Sequence, residues 1–426
     1  MARNLDLYPL CSRGIFRVTM KSYDLSIIGY FGKMASTLRP ELLRWRVVFL
    51  FCTVLSVTPD CTSTGKVNPK IVSDENIWTS GVEGEIAGYR TPFITYTPNG
   101  TILAFAGARK YSKGDAGKKI ISLRRSTDKG VTWTPTAFLV DDGYDKGVLG
   151  AGTAFVDDDS NTTFVMFIHC QFHCAVPSVL LMNSTNDGVT WGQPRNITPQ
   201  LQPGVVSHPS PGYGIRKRYE PHKGRLIVCA HGRAPEWGLS LLLSDDGAVT
   251  WRTGAFVSNR PCNDTCGESH TTFQAGECQP VELPDGSVLV MTRNQLRCKC
   301  HCKAFLTSHD GGETLPISSL RFDQTLIEPP TDAALLYSDG VLYFTGPNSS
   351  SKRQKMTLKW SYDNGTSWAG ELPIWPKAAG YSAVTMLQKD PGDKNFLYLL
   401  YEKGFTKKGT STAAIAFTKI QIHVTL

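Results

Sequence analysis

Residues 126–133, with the sequence STDKGVTW, decide the fold, because looser copies of this octapeptide begin at Ser184, Ser244, Ser308 and Ser361. Each copy has the pattern of a tight turn. In the first copy, Asp128 can accept backbone N–H bonds, Gly130 permits a positive φ and Trp133 offers a flat ring for packing. With the pattern written as S-x-D-x-G-x-T-W, the later copies each change one of its five fixed positions, and the replacements are Asn186, Ala248, Leu315 and Ser367. The chain is therefore organised by one turn that recurs along its length.

The spacing of the copies indicates a repeated β-sheet unit. Successive serines lie 58, 60, 64 and 53 residues apart, somewhat more than the roughly 40–50 residues of a four-stranded propeller blade. Between the copies, residues 101–106, 225–230 and 286–291 are short apolar or alternating runs bounded by turn residues, as strands are. The pattern predicts an all-β fold, a β-propeller. The alternative is a generic β-sandwich with aromatic turns.

Residues 1–62 differ from the rest and are predicted to be a leader that includes a secretory signal peptide. Residues 47–57 form an apolar run that follows several arginines and is short for a bilayer span. We expect cleavage between Ser56 and Ser63. Because signal peptides seldom begin so far from the N-terminus, Met34 is an alternative start, and an uncleaved anchor is the alternative topology.

Residues 63–426 are predicted to form one domain. This length is ample for a buried core, and no linker interrupts the repeats. The formal net charge of +8 includes an excess of basic residues in the leader, so the domain itself is only mildly basic. Its charge gives no argument for nucleic acid as a partner.

Cysteines and glycosylation sequons both indicate an oxidising compartment. Two of the 12 cysteines belong to the leader, and close pairs lie at Cys170/Cys174 and Cys262/Cys266. Sequons of the form N-x-S/T support the same routing, and they lie at Asn99, Asn161, Asn183, Asn196, Asn263, Asn348 and Asn364. We therefore expect the mature protein in the lumen of the secretory pathway.

Residues 298–302, Cys-Lys-Cys-His-Cys, raise the question of a metal site. Alternate residues of a strand share one face, which gives poor tetrahedral geometry, and no second C-x2-C half accompanies the run. Disulfides are the preferred interpretation, with a metal site as the alternative. We expect no metal and no other cofactor.

Arg90, Arg293 and Arg353 lie on different predicted blades and are candidates for an anion site. If they converge at the propeller mouth, their permanently charged, forked guanidinium groups suit a carboxylate. Each charged hydrogen bond would contribute about 1.5–3 kcal/mol. The alternative is three unrelated surface arginines.

The motifs around these arginines resemble those of the exo-α-sialidases (neuraminidases), most closely the lysosomal-type animal sialidase. The resemblance runs from about Tyr89 to the C-terminus. It rests on the motifs YRTP at 89–92, LRRS at 123–126, ECQP at 277–280, LPDGS at 283–287, RNQ at 293–295, GYS at 380–382 and YEKG at 401–404. It implies a six-bladed propeller whose repeated turns, the Asp boxes of the family, lie away from the active site.

The resemblance also implies a carboxylate clamp, and its members are Arg90, Arg293, Arg353 and Glu402, the last of which steadies Arg90. Arg109 is a further candidate substrate contact in the run FAGAR at 105–109, where the family commonly has F-A-E-x-R. Gly107 therefore lacks the family's acidic side chain near the sugar. This departure leaves the preference among sialic acid variants open.

Asp115, Tyr381 and Glu277 resemble the family's acid/base catalyst, its nucleophile and the partner of that nucleophile. A neutral phenol suits the nucleophile's role, because a carboxylate would be repelled by the carboxylate on the anomeric carbon of sialic acid. With an ordinary pKa near 10, Tyr381 needs Glu277 as a base within hydrogen-bond reach. Asp115 has to begin protonated, so we expect it in a buried site without a compensating charge.

The implied activity is the hydrolysis of terminal α-ketosidically linked sialic acid from glycoproteins, oligosaccharides and gangliosides, with retention of configuration. The alternatives are a trans-sialidase, which would share the catalytic residues, and an inactive sialic-acid-binding propeller, which would have little need for them.

The resemblance implies partners and a location as well. The partners are sialylated glycoconjugates and a serine carboxypeptidase-type protective protein, with peripheral membrane association as a further expectation. The expected location is the lysosome lumen or lysosomal membrane, with the cell surface or secretion as alternatives. The family's tyrosine sorting signal is missing from the C-terminus, where His423 stands instead, so the sorting route is left open.

Overall fold

The structure, a computed structural model, describes residues 66–425 apart from 112, 116, 142–148, 151, 171–173, 175–176, 206, 234–236, 260–273, 296–299 and 407–409. Within these ranges the regular structure is β-sheet, with short 3₁₀ turns at Thr198–Gln200, Ile317–Ser319 and Asp393–Asn395. The predicted all-β class is confirmed. None of the helical segments in these ranges has the length and hydropathy that crossing a membrane requires.

The described residues belong to one unit, Thr64–Leu426. The predicted leader at 1–62, with its signal peptide, cleavage region and alternative start at Met34, lies outside the described residues, and so do Cys262, Cys266 and Asn263. These expectations remain predictions.

Strand β1 (Lys66–Thr79) opens the described chain and pairs with the last strand. A four-stranded sheet follows, and its strands in spatial order are β2 (Ile86–Tyr96), β3 (Ile102–Lys110), β4 (Lys119–Ser126) and β5 (Ala137–Asp141). All neighbours in this sheet are antiparallel.

Two five-stranded sheets come next. Their strands in chain order are β6 (Thr153–Asp157), β7 (Thr162–His169), β8 (Ser178–Ser184), β9 (Arg195–Asn196), β10 (His208–Pro209), β11 (Gly212–Tyr213), β12 (Ile215–Arg216), β13 (Leu226–Arg233), β14 (Trp237–Ser244) and β15 (Arg252–Ser258). One sheet has the order β11-β6-β7-β8-β9, and the other has β10-β13-β14-β15 with β12 also paired to β13.

The remaining strands form a four-stranded and a seven-stranded sheet. The first has β16 (Ala275–Glu282), β17 (Val288–Asn294), β18 (Cys302–Ser308) and β19 (Arg321–Ile327) in that order. The second has the order β1-β25-β24-β23-β22-β21-β20, and its new strands are β20 (Ala334–Ser338), β21 (Val341–Pro347), β22 (Gln354–Ser361), β23 (Gly370–Thr385), β24 (Phe396–Lys403) and β25 (Ala414–Thr425).

The long strand β23 belongs to two four-stranded parts of the seven-stranded sheet. Residues 370–378 pair with β22, and residues 379–385 pair with β24. Strands of neighbouring sheets contact each other: β2 contacts β6 and β23, and β16 contacts β13 and β20. The sheets therefore stand side by side in a propeller-like arrangement, as the repeat spacing predicts.

The repeated turns have the hydrogen bonds that their sequence predicts. Asp128 accepts the backbone N–H of Thr132 at 2.9 Å, and the Ser126 hydroxyl accepts that of Gly130 at 2.8 Å. Equivalent acceptor bonds recur at Asn186, Asp246, Asp310 and Asp363. Gly130 has φ 83°, and a Cβ there would lie 2.4 Å from Phe417, so the first turn requires glycine, whereas the third turn has Ala248 at the equivalent position with φ 70°.

The repeated turns lie at one end of the sheets, and the predicted site residues on β2 and β3 lie at the other end. Each of these turns follows the third of three adjacent antiparallel strands, at Ser126, Ser184, Ser244, Ser308 and Ser361. Because neighbouring strands are antiparallel, the start of the first strand and the end of the second lie at the other end. Arg90 near the start of β2 and Arg109 near the end of β3 lie at that other end, away from the turns.

Disulfides join Cys170 to Cys174, Cys229 to Cys278 and Cys300 to Cys302. The first confirms a predicted close pair, and the third confirms that part of the run at 298–302 forms a disulfide. Cys298 lies outside the described residues. In the described ranges, no group of three or more His, Cys, Asp or Glu side chains is arranged to hold a metal ion.

Candidate active site

Irregular strand pairing occurs beside three of the predicted site residues and orients their side chains. The pairing of β2 with β3 shifts register after Arg90, that of β16 with β17 shifts around Glu277, and that of β23 with β24 shifts around Tyr381. A β-bulge turns a side chain away from the regular alternation, which is why bulges are common beside active sites. The three shifts lie in three different sheets or sheet parts, and the side chains meet.

Glu402 fixes one edge of the site from a fully buried position. Its Oε1 accepts hydrogen bonds from Arg90 Nε at 3.0 Å and from the Thr91 backbone N–H at 3.1 Å. Its Oε2 accepts the backbone N–H of Tyr381 at 3.3 Å. A Cβ at position 380 would lie 2.2 Å from that oxygen, so Gly380 is needed for this approach. Glu402 thus ties Arg90 to the strand that carries Tyr381.

Asp115 lies on the connection between β3 and β4 and faces two arginines. Its Oδ1 is 2.7 Å from Arg109 Nη1 and 3.3 Å from Arg90 Nη1, and its side chain is 71% exposed. Burial would raise the pKa of Asp115, but the charges of Arg109, Arg90 and Lys119 outweigh it and lower that pKa below its ordinary value. The expectation of a buried Asp115 without compensating charge is therefore wrong for the free protein.

Tyr381 on β23 and Glu277 on β16 form a hydrogen-bonded pair that is almost fully buried. The Tyr381 hydroxyl donates to Glu277 Oε1, and Arg293 Nη1 donates to Glu277 at 3.1 Å and 2.9 Å and to the Tyr381 oxygen at 3.0 Å. Burial would raise the pKa of Glu277, but the Arg293 charge lowers it, to about 2. Burial and the Glu277 charge hold the pKa of Tyr381 well above its ordinary value. The free site therefore pairs a neutral phenol with an ionised carboxylate.

Arg353 completes the group next to the ring of Tyr381. Its Cζ lies 5.1 Å from the centre of the Tyr381 ring, and Arg90 Cζ lies 6.0 Å from the same centre. Arg353 Nη2 donates to the Pro330 carbonyl at 3.1 Å. The predicted clamp arginines Arg90, Arg293 and Arg353 thus surround one phenol, as an anion site requires.

The structure therefore brings together every site residue that the sequence predicts, and their catalytic roles remain predictions. The assembled groups are Arg90, Arg109, Asp115, Glu277, Arg293, Arg353, Tyr381 and Glu402. Four guanidinium groups face three carboxylates, which leaves a positive excess for an anionic ligand. A phenol hydrogen-bonded to a carboxylate also provides a nucleophile with a base.

Sequence reasoning missed two buried groups next to this site. His231 lies close enough to Glu277 for their charges to interact and bonds the Ser210 hydroxyl at 2.9 Å, and burial lowers its pKa. Lys303 and Glu328 form a buried ion pair beside Asn294. Neither group stands in a motif, and a lone histidine or a charged residue in a strand gives no sequence signal of burial. The two were detectable only from the folded chain.

Comparison with known proteins agrees with this geometry. A family model described as BNR repeat-like domain matches residues 148–393. A sialidase from Micromonospora viridifaciens is 29% identical over 374 residues, which cover 78% of this chain and 52% of that protein. The chain thus spans about half the length of that curated relative.

Solved structures show the same fold. The Hadza microbial sialidase Hz136 superposes with a TM-score of 0.68 at 24% identity, covering 81% of this chain and 68% of its own. The intramolecular trans-sialidase from Ruminococcus gnavus, solved with oseltamivir carboxylate, has a TM-score of 0.63 at 16% identity, covering 81% of this chain and 97% of its own. Because the family model matches more than half of the sequence, this chain belongs to the BNR repeat-like domain family, and at the family level it is a relative of sialidases.

Proposed function

We propose that this chain is an exo-α-sialidase that removes terminal α-ketosidically linked sialic acid with retention of configuration. The observation that carries the proposal is the Tyr381 hydroxyl donating to Glu277 in the midst of three arginines. The candidate substrates are sialylated glycoproteins, oligosaccharides and gangliosides.

The clamp binds the substrate carboxylate through Arg90, Arg293 and Arg353. Sialic acid carries its carboxylate on the anomeric carbon, so an arginine clamp around Tyr381 places that carbon beside the phenol oxygen. Glu402 holds Arg90 in place for this contact. Each charged hydrogen bond in this clamp adds about 1.5–3 kcal/mol.

Substrate binding prepares Tyr381 for attack. In the free site the Arg293 charge holds Glu277 ionised and weakly basic. A substrate carboxylate shares the charge of Arg293, which weakens the hold of Arg293 on Glu277 and raises the pKa of that carboxyl. Glu277 then takes the phenol proton as Tyr381 attacks the anomeric carbon. The covalent intermediate is opened by water, and two inversions give retention.

Asp115 becomes an acid by the same exchange. Its low pKa in the free site depends on Arg109 and Arg90. When the substrate carboxylate engages Arg90 and the aglycone covers Asp115, part of that compensation is lost and the carboxyl takes up a proton. It donates this proton to the departing aglycone and later removes one from the attacking water.

The rest of the proposal concerns the whole protein. Six blades are supported by the way β23 divides the seven-stranded sheet into two four-stranded parts, each with a neighbour sheet. We propose a leader up to residue 62 followed by one domain from residue 63, and a lysosomal destination, as for the lysosomal-type animal sialidase. N-terminal sequencing of the mature protein tests the boundary, which we expect between Val57 and Thr64.

A serine carboxypeptidase-type protective protein is the proposed partner. Co-expression with such a carboxypeptidase should raise sialidase activity or thermal stability. If neither changes, the chain does not depend on this partner.

A trans-sialidase is the second candidate, because the structural neighbours include one. The test is a product assay on α2,3-, α2,6- and α2,8-linked sialosides with and without lactose, using Tyr381→Phe as the control. Free sialic acid in amounts that lactose does not change supports hydrolysis. Sialyl-lactose as the product favours transfer, and binding without any product favours a binding propeller.

A further inference from the structure

The segment 328–332, Glu-Pro-Pro-Thr-Asp, joins β19 to β20. It contacts one clamp arginine, Arg353, directly and another, Arg293, through the residue that follows it. The Pro330 carbonyl accepts Arg353 Nη2 at 3.1 Å. Glu328 Oε1 accepts the backbone N–H of Asn294 at 3.3 Å, and Asn294 directly follows Arg293. One short segment therefore contacts both Arg353 and the backbone next to Arg293, two arginines that lie far apart in the sequence.

Lys303 on β18 bonds to both ends of this segment. Its ammonium pairs with the Glu328 carboxylate and donates to the Thr331 carbonyl at 2.8 Å. The side chains of Lys303 and Glu328 are 1% and 2% exposed, and burial raises the pKa of Glu328 to about 7 against the opposing effect of the Lys303 charge, so the pair is ionic above that pH. The Glu328 backbone N–H also donates to the His301 carbonyl at 2.9 Å. The segment is fixed at both its side chain and its backbone.

We infer that Lys303 and Glu328 are positioning residues that hold segment 328–332 in the place from which Arg293 and Arg353 reach the carboxylate of the ligand. This inference rests on the proposed function, since it takes the ligand to be a sialic acid. Neither residue touches the reacting atoms. Their effect is to set the angle and reach of two guanidinium groups.

A buried ion pair is a weak source of stability, because desolvation of the two charges offsets most of their attraction. Replacing both partners with neutral side chains of similar size is often tolerated by the fold. Geometry is then the property that the pair supplies: it fixes two separate acceptors, the Glu328 carboxylate and the Thr331 carbonyl, at one ammonium group. Arginine clamps need such fixed geometry, since a forked contact is directional.

The test compares the double variant Lys303→Met/Glu328→Gln with wild type. The ligands are 2,3-dehydro-2-deoxy sialic acid and its methyl ester, which lacks the charge that the clamp binds. We expect affinity for the acid to fall about 10- to 100-fold, by analogy with the loss of metal affinity when residues that support metal ligands are removed. Affinity for the ester should change much less, and KM should rise more than kcat falls.

The chain offers a matched control in Lys217 and Glu282. The Lys217 ammonium is 2.8 Å from Glu282 Oε1 and also donates to a backbone carbonyl, that of Gly286, and the side chain is fully buried. Glu282 lies at the end of β16 opposite Glu277. The variant Lys217→Met/Glu282→Gln should shift the melting temperature without changing the ratio of acid to ester affinity.

Equal losses for acid and ester in the Lys303/Glu328 variant, or unchanged affinity for the acid, would overturn the inference. If the double variant does not fold, Glu328→Gln alone serves, because its amide oxygen can still accept from Asn294 while only the negative charge that faces Lys303 is lost. It should lower affinity for the acid by a smaller factor and again leave affinity for the ester almost unchanged, and equal losses for the two ligands would count against the inference. Failure of the proposed function is distinct, since wild type itself would then release no sialic acid from sialosides, whatever the variants bind.

Discussion

The two carboxylates expected to move protons stand in opposite surroundings. Asp115 is 71% exposed on a loop and leans on Arg109 and Arg90. Glu277 is nearly buried on a strand and is held by Arg293 and Tyr381. Both have a lowered pKa from a neighbouring arginine. The difference is that Asp115 has to gain a proton when a ligand arrives, while Tyr381 and Glu277 already have their hydrogen bond in the free protein.

This contrast indicates which half of the site is preset. The Tyr381–Glu277 pair has its hydrogen bond before substrate arrives, so its contribution lies in preorganised geometry. Asp115 acquires its working protonation state only when the ligand carboxylate takes its arginine. The predictions below separate these two halves.

The largest effect is expected in the preset half. Tyr381→Phe removes only the nucleophilic oxygen, so kcat should fall by about 10³-fold or more while affinity for the unsaturated analogue stays close to wild type. Steady-state kinetics and inhibitor titration measure the two quantities. A variant that keeps a substantial fraction of kcat would show that the phenol is not the nucleophile.

The next effect concerns Arg293, which both binds the substrate carboxylate and lowers the pKa of Glu277. Arg293→Ala leaves a substrate carboxylate short of one guanidinium and should cost about 2–5 kcal/mol of binding free energy for the acid analogue. It should also remove the charge that keeps the pKa of Glu277 low. Competitive inhibition measures the loss, and unchanged inhibition would place Arg293 outside the ligand site.

A smaller effect tests the exposed half. Because the pKa of Asp115 is lowered in the free site and should rise when the ligand engages Arg90, binding of the acid analogue should take up a fraction of a proton near the ordinary carboxyl range. Calorimetry in buffers of different ionisation enthalpy measures this uptake. Asp115→Asn should reduce it to the share that Glu277 takes up, whereas proton release in wild type would contradict the exchange.

The smallest effect is expected far from the site. Asp128→Ala removes the acceptor of its turn and should lower the free energy of unfolding by about 1 kcal/mol with kcat/KM unchanged. Hydrogen bonds from Thr132 lower the pKa of Asp128 to about 2, so its stabilisation is present above the ordinary pKa near 3.8 and is lost as pH falls through 2. Chemical denaturation at several pH values checks both statements. An altered kcat/KM would show that the turn is not purely structural.

The sequence predicts well what is encoded locally. The repeated turns depend on side chains four residues apart, so Asp128 and Thr132 predict their own hydrogen bond. The motif residues Arg90, Tyr381 and Glu402 also meet as expected, although 291 residues separate Arg90 from Tyr381. Here the resemblance supplied what spacing alone could not.

What the sequence does not predict depends on distant neighbours. The surroundings of Asp115 follow from Arg109 and Arg90 meeting it across a loop, so its charge state could not be deduced from the motif. The division of β23 between two sheet parts depends on pairing partners on either side. Burial of Lys303 was hidden because a lysine in a strand usually faces solvent.

The most direct test of the account is to map the residue that becomes covalently attached to sugar. Wild-type protein treated with a 2,3-difluoro sialic acid probe should carry the label on the peptide that contains Tyr381, and Tyr381→Phe should carry none. Because the preset half supplies the nucleophile, labelling should not require a change at Asp115. A label that maps to Asp115 or Glu277, or one that persists in Tyr381→Phe, would contradict the central claim.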